Sequence, residues 1–380
     1  MKEAVRQGPL AGLKVIEFTH MVMGPAAGVI LADLGADVIK VEPANGDATR
    51  DLKGSGAGYF VMYNRNKRSI RLDMKSEDGL ATAKALCAGA DVIIENFRAG
   101  ALDRLGLSYE ELSEVNPGLI YCSEKGFLPG PYEQRTALDE VAQMMGGLAY
   151  MTGPAGRPLR AGASVIDVTG GMFGVIGILA ALEERRRTGR GQLVKSALYE
   201  TTAFLVGQHM AQKAVTGTAA RPMPERISAW SIYDVFQTKD GEGVFIGVVT
   251  DKLWLVFCDL FSLTELKANE AYALNNARVA ARDQILPVVR EVVGQYTREE
   301  LIDMLSPSGL PFAPIARPED LFDDPHLNTG GLVDVTMPND EVVRLPSLPI
   351  EMDGRRFNEP AAAPKSGEHQ DEVLAELAKG

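Results

Sequence analysis

Cysteine is scarce in this chain. Three occur in 380 residues, at Cys87, Cys122 and Cys258, far apart and without C-x-x-C spacing. That pattern argues against a disulfide framework and a zinc site, and it fits a reducing, cytoplasmic setting; no metal ligands are expected. Long apolar runs are also missing. The longest, Met172 to Leu182, is too short to span a bilayer. The opening M-K-E-A-V-R-Q-G-P-L lacks the apolar region of a secretory leader, so none is expected. Positive charge is in deficit, with 39 Lys and Arg against 51 Asp and Glu, a formal net charge of −12. This disfavours nucleic acid and anionic membrane as partners. Three common motifs are absent. The turn F-T-H-M-V-M-G-P-A-A-G lacks G-x-G-x-x-G, and neither G-x-x-x-x-G-K-[ST] nor G-x-S-x-G occurs. A dinucleotide site is poorly supported, and the P-loop and the serine-hydrolase elbow fall away.

What is present is an alternation of strand and helix. A chain of this length predicts two domains. Leu13 to Phe18, Gly35 to Glu42, Gly89 to Phe97 and Leu119 to Phe127 read as short apolar strands, with a helix over Pro25 to Leu34 after the first. Such alternation predicts a parallel sheet covered on both faces, with ligands bound beyond the carboxyl ends of its strands. The residues from His20 to Pro25, from Asn96 to Arg98 and from Gly126 onward therefore matter most. His20 lies in the first of these turns, with either a ligand contact or a structural role open to it. A basic group, Lys67, Arg68, Arg71, Lys75, Arg98 and Arg104, is either a phosphate site or a solvated face.

The segment from Arg157 to Gln192 carries one carboxylate, Asp167, ahead of a long apolar helix with a stripe of Gly170, Gly171, Gly174 and Gly177. The stripe predicts close approach of another backbone. A helix opening on Asp167 would hold the carboxylate ionised at its positive end, an environment suited to a nucleophile. Asp is also a favoured N-cap, so local sequence leaves capping and catalysis both open. Thr188 to Gln192 then breaks the chain, a strand follows over Leu193 to Leu198, and a helix over about Glu200 to Val215. Thr216 to Arg226 reads as a linker. Beyond it, Ser231 to Thr238 and Gly243 to Val249 predict an antiparallel hairpin. Helices are expected at about Lys252 to Leu260, Asp283 to Gln295 and Arg298 to Met304. A last hairpin (Gly331 to Met337 and Glu341 to Leu345) precedes a tail ending in a helix near His369 to Ala378.

Six motifs in order resemble the family III CoA-transferases, the group that includes formyl-CoA:oxalate CoA-transferase. They are P-L-A-G-L-K-V-I-E-F-T from Pro9, G-A-D-V-I-K-V-E from Gly35, N-R-N-K-R-S-I-R-L-D-M-K from Asn64, E-N-F-R-A-G-A-L-D-R-L-G from Glu95, A-Q-M-M-G-G-L from Ala142 and I-L-A-A-L-E-E-R-R-R-T-G-R-G-Q from Ile178. The resemblance covers essentially the whole chain. It implies an α/β fold: a Rossmann-like large domain over residues 1–215, a smaller α+β domain over 226–316, and a C-terminal segment over 317–380 that returns to the large domain. It also implies a homodimer of two subunits threaded through each other as linked rings. The catalytic residue it implies is Asp167, which attacks an acyl-CoA thioester and passes through a mixed anhydride and an aspartyl-CoA thioester. Coenzyme A and acyl-CoA enter as substrates, small carboxylic acids as acceptors, and no cofactor is held permanently. The CoA-contacting positions carried over are Val22, Met23, Leu72, Asp73, Met74, Lys75, Asn96, Phe97, Arg98, Arg104, Thr136, Ala137, Leu138 and Asp139, with Tyr59 and His20 toward the substrate.

The chain departs from the family pattern at several points. Val22 stands where formyl-CoA transferase has Gln. No Arg occurs at Pro43 to Asn45, and Arg226 to Trp230 reads R-I-S-A-W rather than a run of four glycines, which speaks against oxalate as acceptor. Arg160 and Arg226 are candidates for holding an acceptor carboxylate. The family also holds 2-methylacyl-CoA racemases, whose α-proton chemistry needs a His before the Asp. Here Leu138 precedes Asp139, and leucine moves no protons. The racemase, and an inactive acyl-CoA-binding protein, stand as alternatives to the transferase.

Overall fold

The structure is a computed structural model and describes residues 7–226 and 228–379. The stretch read for a leader lies largely outside them, as does Ile227. The chain forms two compact units, one of Met1–Glu225 with Pro325–Gly380 and one of Arg226–Asp324.

The first unit is built on six parallel strands: β1 (Lys14–Phe18), β2 (Asp37–Pro43), β3 (Arg68–Leu72), β4 (Val92–Glu95), β5 (Ile120–Lys125) and β6 (Leu193–Ala197). Their order is β3-β2-β1-β4-β5-β6. The winding reverses between β1 and β4, the switch point beyond whose carboxyl ends parallel sheets form their ligand crevice. The helices are α1 (Met23–Asp33), α2 (Tyr59–Asn64), α3 (Glu77–Ala88), α4 (Tyr109–Val115), α5 (Asp139–Met145), α6 (Leu148–Thr152), α7 (Val165–Thr188), α8 (Leu198–Leu205) and α9 (Gly207–Thr216). Alternate strand residues bury on opposite faces. Val15, Val38, Val92, Ile94, Ile120 and Cys122 pack under α1 and α7, whereas Ile16, Ile39, Ile70, Ile93 and Tyr121 pack under α3 and α4.

Local chemistry sets the helix ends. The Ser76 side chain accepts from the Gly79 N–H at the start of α3, and Ser108 with Glu111 forms a capping box on α4. Gly189, at φ 71°, ends α7 in the left-handed conformation, which glycine adopts without a Cβ clash. The helix expected over Glu200 to Val215 is interrupted at Val206, giving α8 and α9.

The glycine stripe of α7 serves close packing. A Cβ on Gly171 would stand 2.6 Å from the Met23 carbonyl oxygen, and one on Gly177 would stand 2.5 Å from a Val194 methyl. By length and composition α7 could cross a membrane, although its unbroken apolar run is short. Its Ile166, Val175, Ile178 and Ala181 are nonetheless buried within the unit.

The sequence reading missed β3, because R-S-I-R-L looks like part of a basic surface. It is an edge strand paired only with β2, and the C-terminal tail covers its free side. The Ser69 N–H donates to His369 Nδ1 (3.2 Å) and the Arg71 N–H to Gln370 Oε1 (2.8 Å). Arg68 is buried against Asp37, Glu372 and Glu376. Lys67 is buried too, donating to Glu17, Asn64 and the Pro25 carbonyl, and burial pushes its ammonium down to about 8. These two residues therefore leave the proposed basic patch. Arg71, Lys75, Arg98 and Arg104 remain exposed.

The second unit holds a three-stranded antiparallel sheet, β7 (Tyr233–Gln237), β8 (Gly243–Gly247) and β9 (Phe312–Pro314). Helices α10 (Asp251–Leu260), α11 (Thr264–Ala268), α12 (Asn275–Ala280), α13 (Arg282–Val293) and α14 (Arg298–Leu305) accompany it. Its core includes Phe236, Trp254, Phe257 and Val289. The chain then adds to the first unit the strands β10 (Leu332–Thr336), β11 (Val342–Pro346), β12 (Leu348–Met352), β13 (Arg355–Phe357) and β14 (Ala361–Ala362), and the helix α15 (Gln370–Leu377).

Candidate active site

Two groups of residues converge in the first unit. One lies beyond the carboxyl ends of β1 and β4. The Asn96 side chain clamps the turn after β1, accepting from the His20 N–H (3.0 Å) and donating to the His20 carbonyl (2.9 Å), while the His20 ring stacks on Phe97 at 5.4 Å. Met21 is left-handed at φ 62°, and its N–H donates to Thr49 Oγ1 at 3.0 Å. Only a tightly held turn keeps a non-glycine residue there. Val22 and Met23 are buried, so they present backbone rather than side chain. Leu72 is buried beside Met74 and Phe97, Lys75 is exposed next to Asp73, and Arg98 and Arg104 are exposed beyond β4.

The other group surrounds Asp167. The helix was expected to open on this residue. It begins instead at Val165, with Asp167 its third residue. The cap comes from a distant carboxylate: Asp139 Oδ2 accepts from the Ile166 N–H (2.9 Å) and the Asp167 N–H (3.1 Å). This frees the Asp167 carboxylate from the local capping that makes most such residues inert. Asp139 Oδ1 accepts from Gln143 Nε2 (2.5 Å) and faces the Arg160 guanidinium at 3.4 Å. Sequence reading placed Asp139 among the CoA contacts; in the structure its Oδ2 is engaged at the start of α7 and its Oδ1 by Gln143 and Arg160. Tyr59 Oη lies 3.3 Å from Ser164 Oγ, and Tyr63 sits beside it at 6.4 Å between ring centroids. Thr136 and Leu138 are exposed, and Ala137 packs against Gly126.

Asp167 ionises less readily than expected. Burial and then the Asp139 charge raise its carboxyl from 3.8 to about 7, with Arg160 acting the other way. A helix dipole contributes about 0.3–1 kcal/mol to an anion, too little to offset desolvation beside a like charge. Such a group is a stronger base, and a better nucleophile once ionised, than an ordinary carboxylate. The two groups meet through Met23, which packs with Ile166 and Ala142, and a Cβ on Gly170 would stand 2.7 Å from the Met23 Cε.

The profile of CoA-transferase family III matches residues 10–370. The chain belongs to this family. It is 35% identical to the succinate–glutarate CoA-transferase of Agrobacterium fabrum over 386 residues, covering 98% of this chain and 96% of that one. It is 38% identical to the acetyl-CoA:oxalate CoA-transferase of Acetobacter aceti over 317 residues, 81% of each. A CAIB/BAIF family protein from Brucella suis superposes with a TM-score of 0.86 at 35% identity, covering 98% of this chain and all of that one. The fold is therefore the mixed α/β arrangement of those structures, and the chain is a CoA-transferase family enzyme whose substrate is an acyl-CoA.

Sequence reasoning missed Glu124. It is fully buried on β5, with neither carboxylate oxygen hydrogen-bonded, and a Cβ on Gly174 would stand 2.3 Å from its Oε1. Burial, with Glu17, Glu95 and Asp167 nearby, raises its carboxyl well above the usual range. A Glu near the carboxyl end of a buried strand was the available signal. Arg226 belongs to the second unit, with its guanidinium 5.7 Å from the Tyr233 ring.

Proposed function

We propose that this enzyme moves CoA from an acyl-CoA to a small carboxylic acid, with Asp167 as the covalent nucleophile. The observation that carries the reading is the division of labour at α7, where Asp139 caps the helix and Asp167 stays free. The Asp167 carboxylate attacks the thioester carbonyl and expels CoA thiolate, leaving a mixed anhydride. The thiolate then attacks the aspartyl carbonyl and releases the donor acid, leaving an aspartyl-CoA thioester. The acceptor carboxylate displaces the thiolate to form a second anhydride. Attack of the thiolate on the acceptor's carbonyl gives the new acyl-CoA and frees Asp167. One thioester is exchanged for another, so no energy source is needed.

We place CoA in the crevice between β1 and β4, against Val22, Met23, Leu72 to Lys75, Asn96 to Arg98, Arg104 and Thr136 to Leu138, with Tyr59 and His20 toward the acyl group. The acceptors are short carboxylic acids of the kind named for the relatives, succinate and glutarate among them. The working assembly is an interlocked homodimer. Its support is an exposed apolar face on α7, α8 and α9 that includes Met172, Ile176, Phe204, Met210 and Val215, the last two 62% and 84% exposed. Faces of this kind mark interaction surfaces. The setting is cytoplasmic, in keeping with three buried free thiols.

Asp167→Ala tests the mechanism. Expected is a folded protein without CoA transfer, and loss of the hydroxylamine-trapped aspartyl adduct that the wild type forms during turnover. A variant keeping more than a tenth of wild-type turnover would sink the assignment.

A further inference from the structure

We infer that Arg160 reads the second carboxylate of a dicarboxylic acid, so that the enzyme selects diacids over monoacids. This rests on the proposed transfer reaction at Asp167. Arg160 lies in the loop leading into α7, and its guanidinium is fixed by backbone: Nε donates to the Ala161 carbonyl (3.2 Å) and Nη2 to the Ala163 carbonyl (3.3 Å). Its carboxylate partners are unequal. Asp139, at 3.4 Å, is already satisfied by Gln143 and by the N–H groups of Ile166 and Asp167. Glu140, at 3.1 Å through Nη1, has a side chain that is 58% exposed. An exposed pairing of this kind contributes little and is readily exchanged. Glu140 thus marks where an incoming carboxylate would dock, on the Nη1 end of a guanidinium whose Nε and Nη2 are already anchored.

The position sets the ligand's length. Arg160 and the Asp167 N–H engage opposite oxygens of the single Asp139 carboxylate. The guanidinium is therefore displaced from the nucleophile's own turn by one carboxylate's width. From there it reaches a second acid group a few bonds along from a carbonyl held at Asp167. Charge agrees. Asp139, Glu140 and Asp167 make the site acidic, and a diacid needs a cation to enter it. Arg160 is the cation that acts on Asp167 against its acidic neighbour.

The test compares matched acceptors with one acyl-CoA donor: succinate against butyrate, and glutarate against valerate. For Arg160→Leu the ratio of kcat/KM for diacid over monoacid is expected to fall roughly ten- to a hundred-fold. Arg160→Lys, which keeps the charge but loses the backbone-anchored guanidinium, is expected to fall between. Glu140→Gln removes the competing carboxylate and is expected to lower the KM for the diacids alone; this arm also serves if Arg160→Leu fails to fold. An unchanged ratio in the Arg160 variants, with both acceptor series slowed equally, would show that Arg160 acts only through Asp139, and would overturn the inference while leaving the transfer reaction standing. No transfer to any acceptor by the wild type would overturn the reaction itself.

Discussion

Asp167→Asn is expected to make the protein more stable as it destroys activity, with the gain appearing only above about pH 4. The Asp167 carboxyl titrates near 3.8 in an unfolded chain and near 7 in the fold. Because its folded value is raised, the stability tied to this group is fully present below about 4 and is lost as pH rises to about 7. Above that, both states are ionised and the full cost of a buried charge beside Asp139 applies. Moving a carboxyl over that interval corresponds to about 4 kcal/mol, and solvent screening at this partly buried carboxyl leaves on the order of 2–4 kcal/mol. An asparagine keeps the shape and never ionises. The measurement is urea or thermal unfolding of both proteins from pH 4 to 8, with CoA transfer assayed in parallel. The stability gain of the variant should be small near pH 4, grow through pH 5 and 6, and level off above 7. A variant no more stable than wild type at pH 8, or a gain that does not vary with pH, would refute the electrostatic account of the site.

Asp139→Asn removes the like charge next to Asp167, so the acidic limb of the kcat/KM profile should move to lower pH; a limb that moves up would contradict the assigned cause. Lys75→Ala and Arg104→Ala should each weaken binding of free CoA by roughly 1.5–3 kcal/mol in titration calorimetry, with acceptor KM little changed; unchanged affinity in both would make them a solvated surface. Gly171→Ala places a methyl against the Met23 carbonyl and should cost about 1–3 kcal/mol in chemical unfolding. With a 2-methylacyl-CoA in heavy water, no deuterium should enter the α-carbon, since Leu138 occupies the position a proton-transferring His would need; exchange at a rate comparable to transfer would favour a racemase.

The sequence alone determined the elements whose signal is local. The apolar strands β1, β2, β4 and β5, the hairpin of β7 with β8, and the amphipathic α15 follow from period, turn residues and caps, each set within a few residues. The glycine stripe announced a close-packed α7, and the resemblance singled out Asp167. What depended on residues distant in the chain was not legible. Strand β3 reads as a basic surface until the C-terminal tail supplies Glu372, Glu376, His369 and Gln370 to its edge. Lys67 looks like a surface cation until the fold folds it over Glu17. The state of Asp167 shows the same limit most clearly. Its neighbours in sequence predict a charged cap. The carboxylate of Asp139, 28 positions earlier, takes over the capping, and burial, then its like charge, raises the Asp167 carboxyl against the helix dipole. Only the packing of α5 against α7 brings the two acids together.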